Sequence, residues 1–252
     1  MDLGIDGKRA AVAAASAGLG LASAQALAAA GVRVAICGRD ADRVAAALAT
    51  LAPVATGEHV GLVADVGTTD GAAGFVADAT GALGGIDVLV PNAGGPPAGT
   101  FATTPLEAYL PALELNLLST VAMCQAAVPA MVDRGWGRVV AITSVSVRQP
   151  IGSLILSNTA RAGVTGFLKT LATEVAAHGV TVNSVQPGLH ATDRLVSLHG
   201  GDTSGVAGSV PTGVVGRPED FGAAVAFLAS DHARFITGAA LPIDGGASQG
   251  LQ

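Results

Sequence analysis

Ser157 and Arg161 lie four residues apart in a stretch of helical periodicity, so both side chains fall on one helix face. A hydroxyl beside a permanent positive charge can hold a carbonyl oxygen as negative charge builds on it. The pair is poorly suited to exchanging protons. A guanidinium stays protonated at neutral pH, and a free serine hydroxyl, like water, gives up its proton only far above neutral pH. A second constellation, Ala14-Ala15-Ser16-Ala17-Gly18-Leu19-Gly20, links an apolar run to a helix. A glycine turn there lets the backbone approach a pyrophosphate, and the helix start offers free N–H groups and a positive dipole end. A third, Gly38-Arg39, follows the next apolar run. No acid is present at Gly38 to accept ribose hydroxyls, while the planar fork of Arg39 suits a 2'-phosphate.

These groups need a scaffold to converge. Apolar runs with strand character cover residues 9–14, 32–37, 59–64, 88–90, 138–143, 180–185 and 240–243. Helical patterns lie between them, near 19–30, 41–51, 69–83, 106–132, 157–178 and 218–230. Near-continuous apolar strands separated by helices predict an α/β fold, a Rossmann-like doubly wound parallel sheet of about seven strands with helices on both faces. No linker or repeat divides the chain, so residues 1–252 read as a single domain. The Gly-, Ser- and Thr-rich stretch 197–216 fits neither pattern and, with the residues from 193, is expected to form a substrate lid.

Half of the 252 residues are apolar and 13% are charged, enough for a large core. A net charge of -6 argues against non-specific nucleic-acid binding. Cys37 and Cys124 are far apart, without metal spacing, and read as buried hydrophobes in a reducing compartment; no metal is expected. Lys8-Arg9 and the apolar residues after it imitate a signal peptide, but Asp2 and Asp6 precede them and Ser16, Ser23 and Gln25 interrupt the run. Gly or polar residues break each candidate membrane span. A cytoplasmic protein is expected.

With these motifs in order, the chain resembles the short-chain dehydrogenase/reductase family over nearly its whole length. The turn ending in Gly18-Leu19-Gly20 is similar to that family's T-G-x-x-x-G-x-G, with Ala13 and Ala14 in the first two places. Asp65-Val66 matches the contact to adenine, and Asn92-Ala93-Gly94 matches the N-N-A-G motif with Pro91 in its first place. Pro187-Gly188 and Thr192 match the segment that holds the nicotinamide amide. Gly216-Arg217-Pro218-Glu219-Asp220, Phe227-Leu228-Ala229-Ser230, Ile236-Thr237-Gly238 and Asp244-Gly245-Gly246 resemble the C-terminal signature. The resemblance implies a cofactor site formed by Ala14, Ser16, Gly18, Leu19, Gly20, Arg39, Asp65, Val66, Asn92, Ala93, Gly94, Arg161, Pro187, Gly188 and Thr192. Arg39 points to NADP(H). Because alanine disfavours positive φ, the turn at Ala14 is expected to shift slightly.

The family's catalytic tetrad is Asn, Ser, Tyr, Lys. The resemblance gives Asn116 and Ser144 the first two roles and places Ser157 and Arg161 in the last two, the register resting on Arg161-Ala162-Gly163-Val164-Thr165-Gly166-Phe167. Tyrosine titrates near 10. The gap of about five units to serine is roughly 7 kcal/mol of proton affinity. Half of it, felt in a transition state, slows reaction by on the order of a few hundredfold. The expected retained chemistry is cofactor positioning by Arg161 and oxyanion stabilisation by Ser144 and Ser157. The only tyrosine, Tyr109, is expected to be packing. His190 is a candidate proton donor or substrate contact, and Arg148 a candidate contact to an anionic substrate.

The resulting expectation is an NADP(H)-dependent oxidoreductase interconverting a ketone and an alcohol, with atypical proton donation. Its partner is a small carbonyl or alcohol substrate, and the helices at 106–132 and 157–178 are expected to pair subunits into a homotetramer. The rivals are a dehydratase, isomerase or cyclase on the same scaffold, and a catalytically silent NADP(H)-binding protein.

Overall fold

A computed structural model describes residues 2–198, 200, 201 and 205–250. Seven strands form one sheet: β1 (Arg9–Val12), β2 (Arg33–Gly38), β3 (Val60–Val63), β4 (Val88–Val90), β5 (Gly137–Ile142), β6 (Val180–Pro187) and β7 (Ala240–Ile243). Their order is β3-β2-β1-β4-β5-β6-β7, and all six neighbouring pairs are parallel. The chain builds outward from β1 to β3, then returns to the other side of β1 to start β4. That reversal opens a crevice beyond the carboxyl ends of β1 and β4, the place where open α/β sheets bind ligands.

The principal helices are α1 (Gly18–Ala29), α2 (Ala41–Leu48), α3 (Thr69–Leu83), α4 (Tyr109–Leu113), α5 (Ser119–Asp133), α6 (Ile155–Val175), α7 (Asp193–Leu198) and α8 (Pro218–Ala229). Strand residues alternate between two cores. Ala11, Ala35 and Leu89 join Phe75 of α3, Met123 of α5 and Val164 of α6 on one face. Val12, Val34 and Val90 join Leu27 of α1, Val44 of α2 and Phe221 of α8 on the other. Each fully buried phenylalanine contributes about 1.5–3 kcal/mol. The doubly wound architecture expected from the sequence is therefore present.

Three details differ from the sequence reading. First, β1 ends at Val12, because the chain leaves the sheet at Ala14, which takes φ +47. The turn does not shift to spare its alanine. Second, the helical region Leu106–Asp133 is interrupted by a π-helical turn over Glu114–Leu118. This region is apolar and long enough to cross a bilayer. Its inward residues Met123, Cys124, Ala127 and Met131 are nevertheless buried in the core. Third, the stretch 197–216 carries more structure than expected. It takes up the end of α7, and Val206–Ser209 forms a 3-10 turn with Val206 buried. Residues 199 and 202–204 of the expected lid lie outside the described residues.

Candidate active site

The nucleotide half is built mainly from main-chain atoms. After β1, the N–H of Ala14 reaches Cys37 Sγ at 3.4 Å and that of Ala15 reaches the Cys37 carbonyl at 2.8 Å, fixing the turn to β2. Burial lifts the Cys37 thiol to about 12, so it stays protonated. Asn92, just beyond β4, donates through Nδ2 to the carbonyls of Ala13 and Ala14, each at 3.2 Å. It thereby ties together the two strand ends that flank the crevice. Gly20 sits inside this knot. A Cβ there would lie 2.6 Å from the Ala14 carbonyl oxygen and 2.9 Å from Asn92 Nδ2, so only glycine fits. The helix cap at Ala17 provides no side-chain hydrogen bond, which leaves the first N–H groups of α1 to a ligand.

Gly38 closes the end of β2. A Cβ at this position would meet Ser16 Oγ at 2.7 Å, so an acid cannot enter without displacing Ser16. Arg39 follows, exposed and in no ion pair with a described residue. Asp40 caps α2 by accepting from the Arg43 N–H at 2.9 Å. Arg43, not singled out in the sequence, lines the cleft with Gly18, Leu19 and Gly20. Its signal was its place one turn into the helix whose start Arg39 marks. Asp65 is exposed and accepts from the Gly67 N–H at 2.9 Å, while Val66 is buried in the core.

The reaction half shares the same cavity of about 350 Å³. Ala93 and Gly94 line it beyond β4, Ser144 beyond β5, Ser157 and Arg161 on α6, Pro187 at the end of β6, and Gly188 and Thr192 beyond it. Ser144 Oγ accepts from the Ser146 N–H at 3.1 Å, which leaves its own proton free to donate. Ser157 is buried, with its hydroxyl in the cleft lining. Arg161 is nine-tenths buried, and its Nη1 donates to the carbonyls of Ile142 and Thr143 at 3.1 and 2.9 Å. Burial, and secondarily the charge of Arg194, push its pKa down to about 10, so it remains a cation at neutral pH.

Asn116 stands behind the lining. Its Nδ2 donates to the Gly94 carbonyl at 2.8 Å, and its buried Oδ1 has no partner. The π-helical turn that carries it is a common device for aiming one side chain out of a regular helix. Tyr109 does not line the cleft.

His190 lines the cleft and packs edge-on against Phe221 at 5.2 Å. Burial holds its pKa below the usual imidazole value, outweighing the Gly188 carbonyl and Asp220. It is therefore neutral at pH 7 and a poor acid there. The expectation for Arg148 is corrected. Its Nε donates to Gln186 at 2.8 Å and its Nη2 to the Ala240 carbonyl at 2.7 Å, which directs it to β6 and β7, away from the cleft. A different arginine, Arg194, takes the position at the cleft. It lines the cavity and donates through Nη2 to the Pro96 carbonyl at 3.2 Å. Its only sequence signal is that it follows Thr192 by two residues.

Residues 13–248 match the family described as Enoyl-(Acyl carrier protein) reductase. The 3-oxoacyl-acyl-carrier-protein reductase FabG of Haemophilus influenzae is 40% identical over 166 residues, 65% of this chain and 68% of that protein. The L-sorbose reductase of Gluconobacter frateurii, solved with NADPH and L-sorbose, superposes with a TM-score of 0.91 at 31% identity, covering 100% of both chains. A short-chain type dehydrogenase/reductase from Mycobacterium marinum gives a TM-score of 0.90 at 32% identity, covering 99% of this chain and 98% of that one.

Proposed function

The chain belongs to the short-chain dehydrogenase/reductase family, and on that premise we propose that it is an NADP(H)-dependent oxidoreductase that interconverts a ketone and an alcohol with atypical proton donation. The observation that carries the reading is the common lining of one cavity. Gly18, Leu19 and Gly20 form one end, while Ser144, Ser157 and Arg161 form the other. The preference for NADP(H) is supported by the missing acid at Gly38, by Arg39 and Arg43, and by the NADPH bound to the sorbose reductase.

The residues present fit the cofactor. Free N–H groups at the start of α1 suit the pyrophosphate, and Gly20 lets it approach the main chain. Arg39 and Arg43 would hold the 2'-phosphate. Pro187, Gly188 and Thr192 would hold the nicotinamide, with Asp65, Val66, Asn92, Ala93 and Gly94 completing the site. When bound, NADP(H) supplies or accepts the hydride.

The side chains supply the rest. Ser144 donates to the substrate oxygen as its charge grows. Ser157 adds a second donor, and the proton passes through its hydroxyl or through a water in the space a tyrosine would fill. Arg161 supplies positive charge and holds the ribose. It does not shuttle a proton, because its guanidinium stays charged. Asn116 acts by positioning Gly94. Residues 193–216 serve as the lid, and the whole chain acts as one catalytic domain in the cytoplasm.

A homotetramer completes the proposal. Leu106 and Leu110 are exposed on the long helical region, and Phe235 and Leu241 are exposed at the β7 edge. Two separate apolar patches suit two self-complementary interfaces, the requirement for a dihedral tetramer. The test of function is NADPH absorbance with a panel of ketones and aldehydes. Carbonyl-dependent loss of NADPH supports the reading. Product formed without cofactor turnover, or NADPH binding without any turnover, rejects it.

A further inference from the structure

The fold compensates its buried guanidiniums, with one exception. Arg138 is 3% exposed, pairs with Asp231 at 3.4 Å and stacks on Trp136. Arg161 is 9% exposed and, among the described residues, has no carboxylate within 4.0 Å. Its hydrogen bonds go to the neutral carbonyls of Ile142 and Thr143. Arg194 lines the same cavity, and its hydrogen bond also goes to a neutral carbonyl, that of Pro96. Two like charges thus line one cleft, and among the described residues no acid is bonded to either. A buried charge of this kind is costly unless an opposite charge joins it.

We infer that Arg194, in the field of the neighbouring Arg161, forms a carboxylate site, so that the substrate of the proposed reduction is an oxo acid whose carboxylate pairs with the Arg194 guanidinium while Arg161 holds the ribose. The inference rests on the reductase reading for the word substrate and on the two arginines for the carboxylate. The site's charge favours a monoanion. Asp193 also lines the cavity, so the local sum of Arg161, Arg194 and Asp193 is a single positive charge. Arg43 lies with the glycine turn and is assigned to the cofactor, and His190 is neutral. Leu154, Leu189 and Leu195 supply apolar wall for the remainder of an oxo acid. The effect of Arg194 on the pKa of Arg161 agrees with their sharing one field, after the larger effect of burial.

The test uses the NADPH-loaded protein, so that the cofactor already occupies the phosphate-binding end. Oxamate, an unreactive monoanion, is titrated by calorimetry against oxamide, its uncharged counterpart. We expect oxamate to bind at least tenfold more tightly, Arg194→Gln to remove that difference, and Arg194→Lys to restore part of it. Arg194 is exposed, so these variants keep the fold. In parallel, kcat/KM is compared for 2-oxo and 3-oxo acids and their methyl esters. A tenfold preference for the acids that collapses in Arg194→Gln supports the inference. Equal binding of oxamate and oxamide, or oxamate binding unchanged in Arg194→Gln, overturns it. Reduction of esters as fast as acids overturns it while leaving the reductase reading intact. Arg194-dependent oxamate binding with no carbonyl reduced keeps the carboxylate site and removes the reductase reading instead.

Discussion

Arg161 donates to the carbonyl of Thr143 at 2.9 Å, and so clamps α6 to the residue immediately before Ser144. The Arg161 guanidinium is therefore a strut as well as a charge. Arg161→Ala removes both. We expect NADPH affinity to fall by tenfold or more, since a hydrogen bond to a charged group contributes about 1.5–3 kcal/mol. Fluorescence titration with NADPH checks this, and unchanged affinity would show that the guanidinium has no part in the cofactor site.

The two serines should differ in weight. Ser144 has a proton free for the substrate oxygen, whereas a water can replace Ser157. Ser144→Ala is expected to cost roughly 2.7–4 kcal/mol of transition-state stabilisation, the range for a lost oxyanion donor. Ser157→Ala should cost less. Restoring the Tyr-x-x-x-Lys pair need not raise activity, because the ring would fill space the substrate uses. Steady-state kinetics on one confirmed substrate decides, and full turnover in Ser144→Ala would move the reading to non-redox chemistry.

Cofactor choice should follow the end of β2. NADPH is expected to bind more tightly than NADH, and Arg39→Ala and Arg43→Ala should each weaken NADPH by about 1.5–3 kcal/mol, the scale of a charged hydrogen bond, with little change for NADH. Gly38→Asp should not produce a clean switch to NADH, because its side chain collides with Ser16. Parallel titrations of both cofactors test the set, and tighter NADH binding by the natural chain refutes it.

Ala14 carries strain that a single methyl causes. A left-handed alanine costs roughly 1–2 kcal/mol, and the freer unfolded chain of a glycine variant returns about 0.4–1 of that. Ala14→Gly should stabilise by about 0.5 kcal/mol, raising Tm by roughly 1–2 °C. A lower Tm in calorimetry would contradict the strained turn.

Burial depresses the pKa of His190, so the unfolded chain binds the extra proton more readily than the folded one. Stability should therefore rise with pH through the interval just below about 6.5 and be lost as pH falls through it. His190→Gln should flatten that part of the Tm profile relative to the natural chain. An identical slope in both proteins would rule out His190 as a source.

Much of this was legible in the sequence, for physical reasons that can be named. The inner strands β1, β2, β4, β5 and β6 are buried on both faces, so each reads as an apolar run, and β4 has the expected bounds, as has the less buried edge strand β7. β1 does not, because Ala13 and Ala14 are as apolar as the strand before them and composition does not record a change of φ. Ser157 and Arg161 line one cavity because their four-residue spacing puts both on one face of α6. Arg148 and Arg194 could not be sorted this way. Their directions are set by Gln186, 38 residues away, and by Pro96, 98 residues away, so the fold decides which of the two meets the cleft. The π-helical turn at Asn116 left no mark in a pattern that reads as helix throughout.

The knot around Gly20 joins the Asn92 side chain to the main-chain carbonyls of Ala13 and Ala14, whereas Ser144, Ser157 and Arg194 line the cavity from beyond β5, from α6 and from α7. A protein divided in this way is easy to reprogramme. Neither Ser157 nor Arg194 belongs to that knot, so exchanges at these two positions can rewrite what is transformed while the turn that grips the borrowed reagent is left intact. Randomising those two positions together with Ser144 is a compact library with wide catalytic reach.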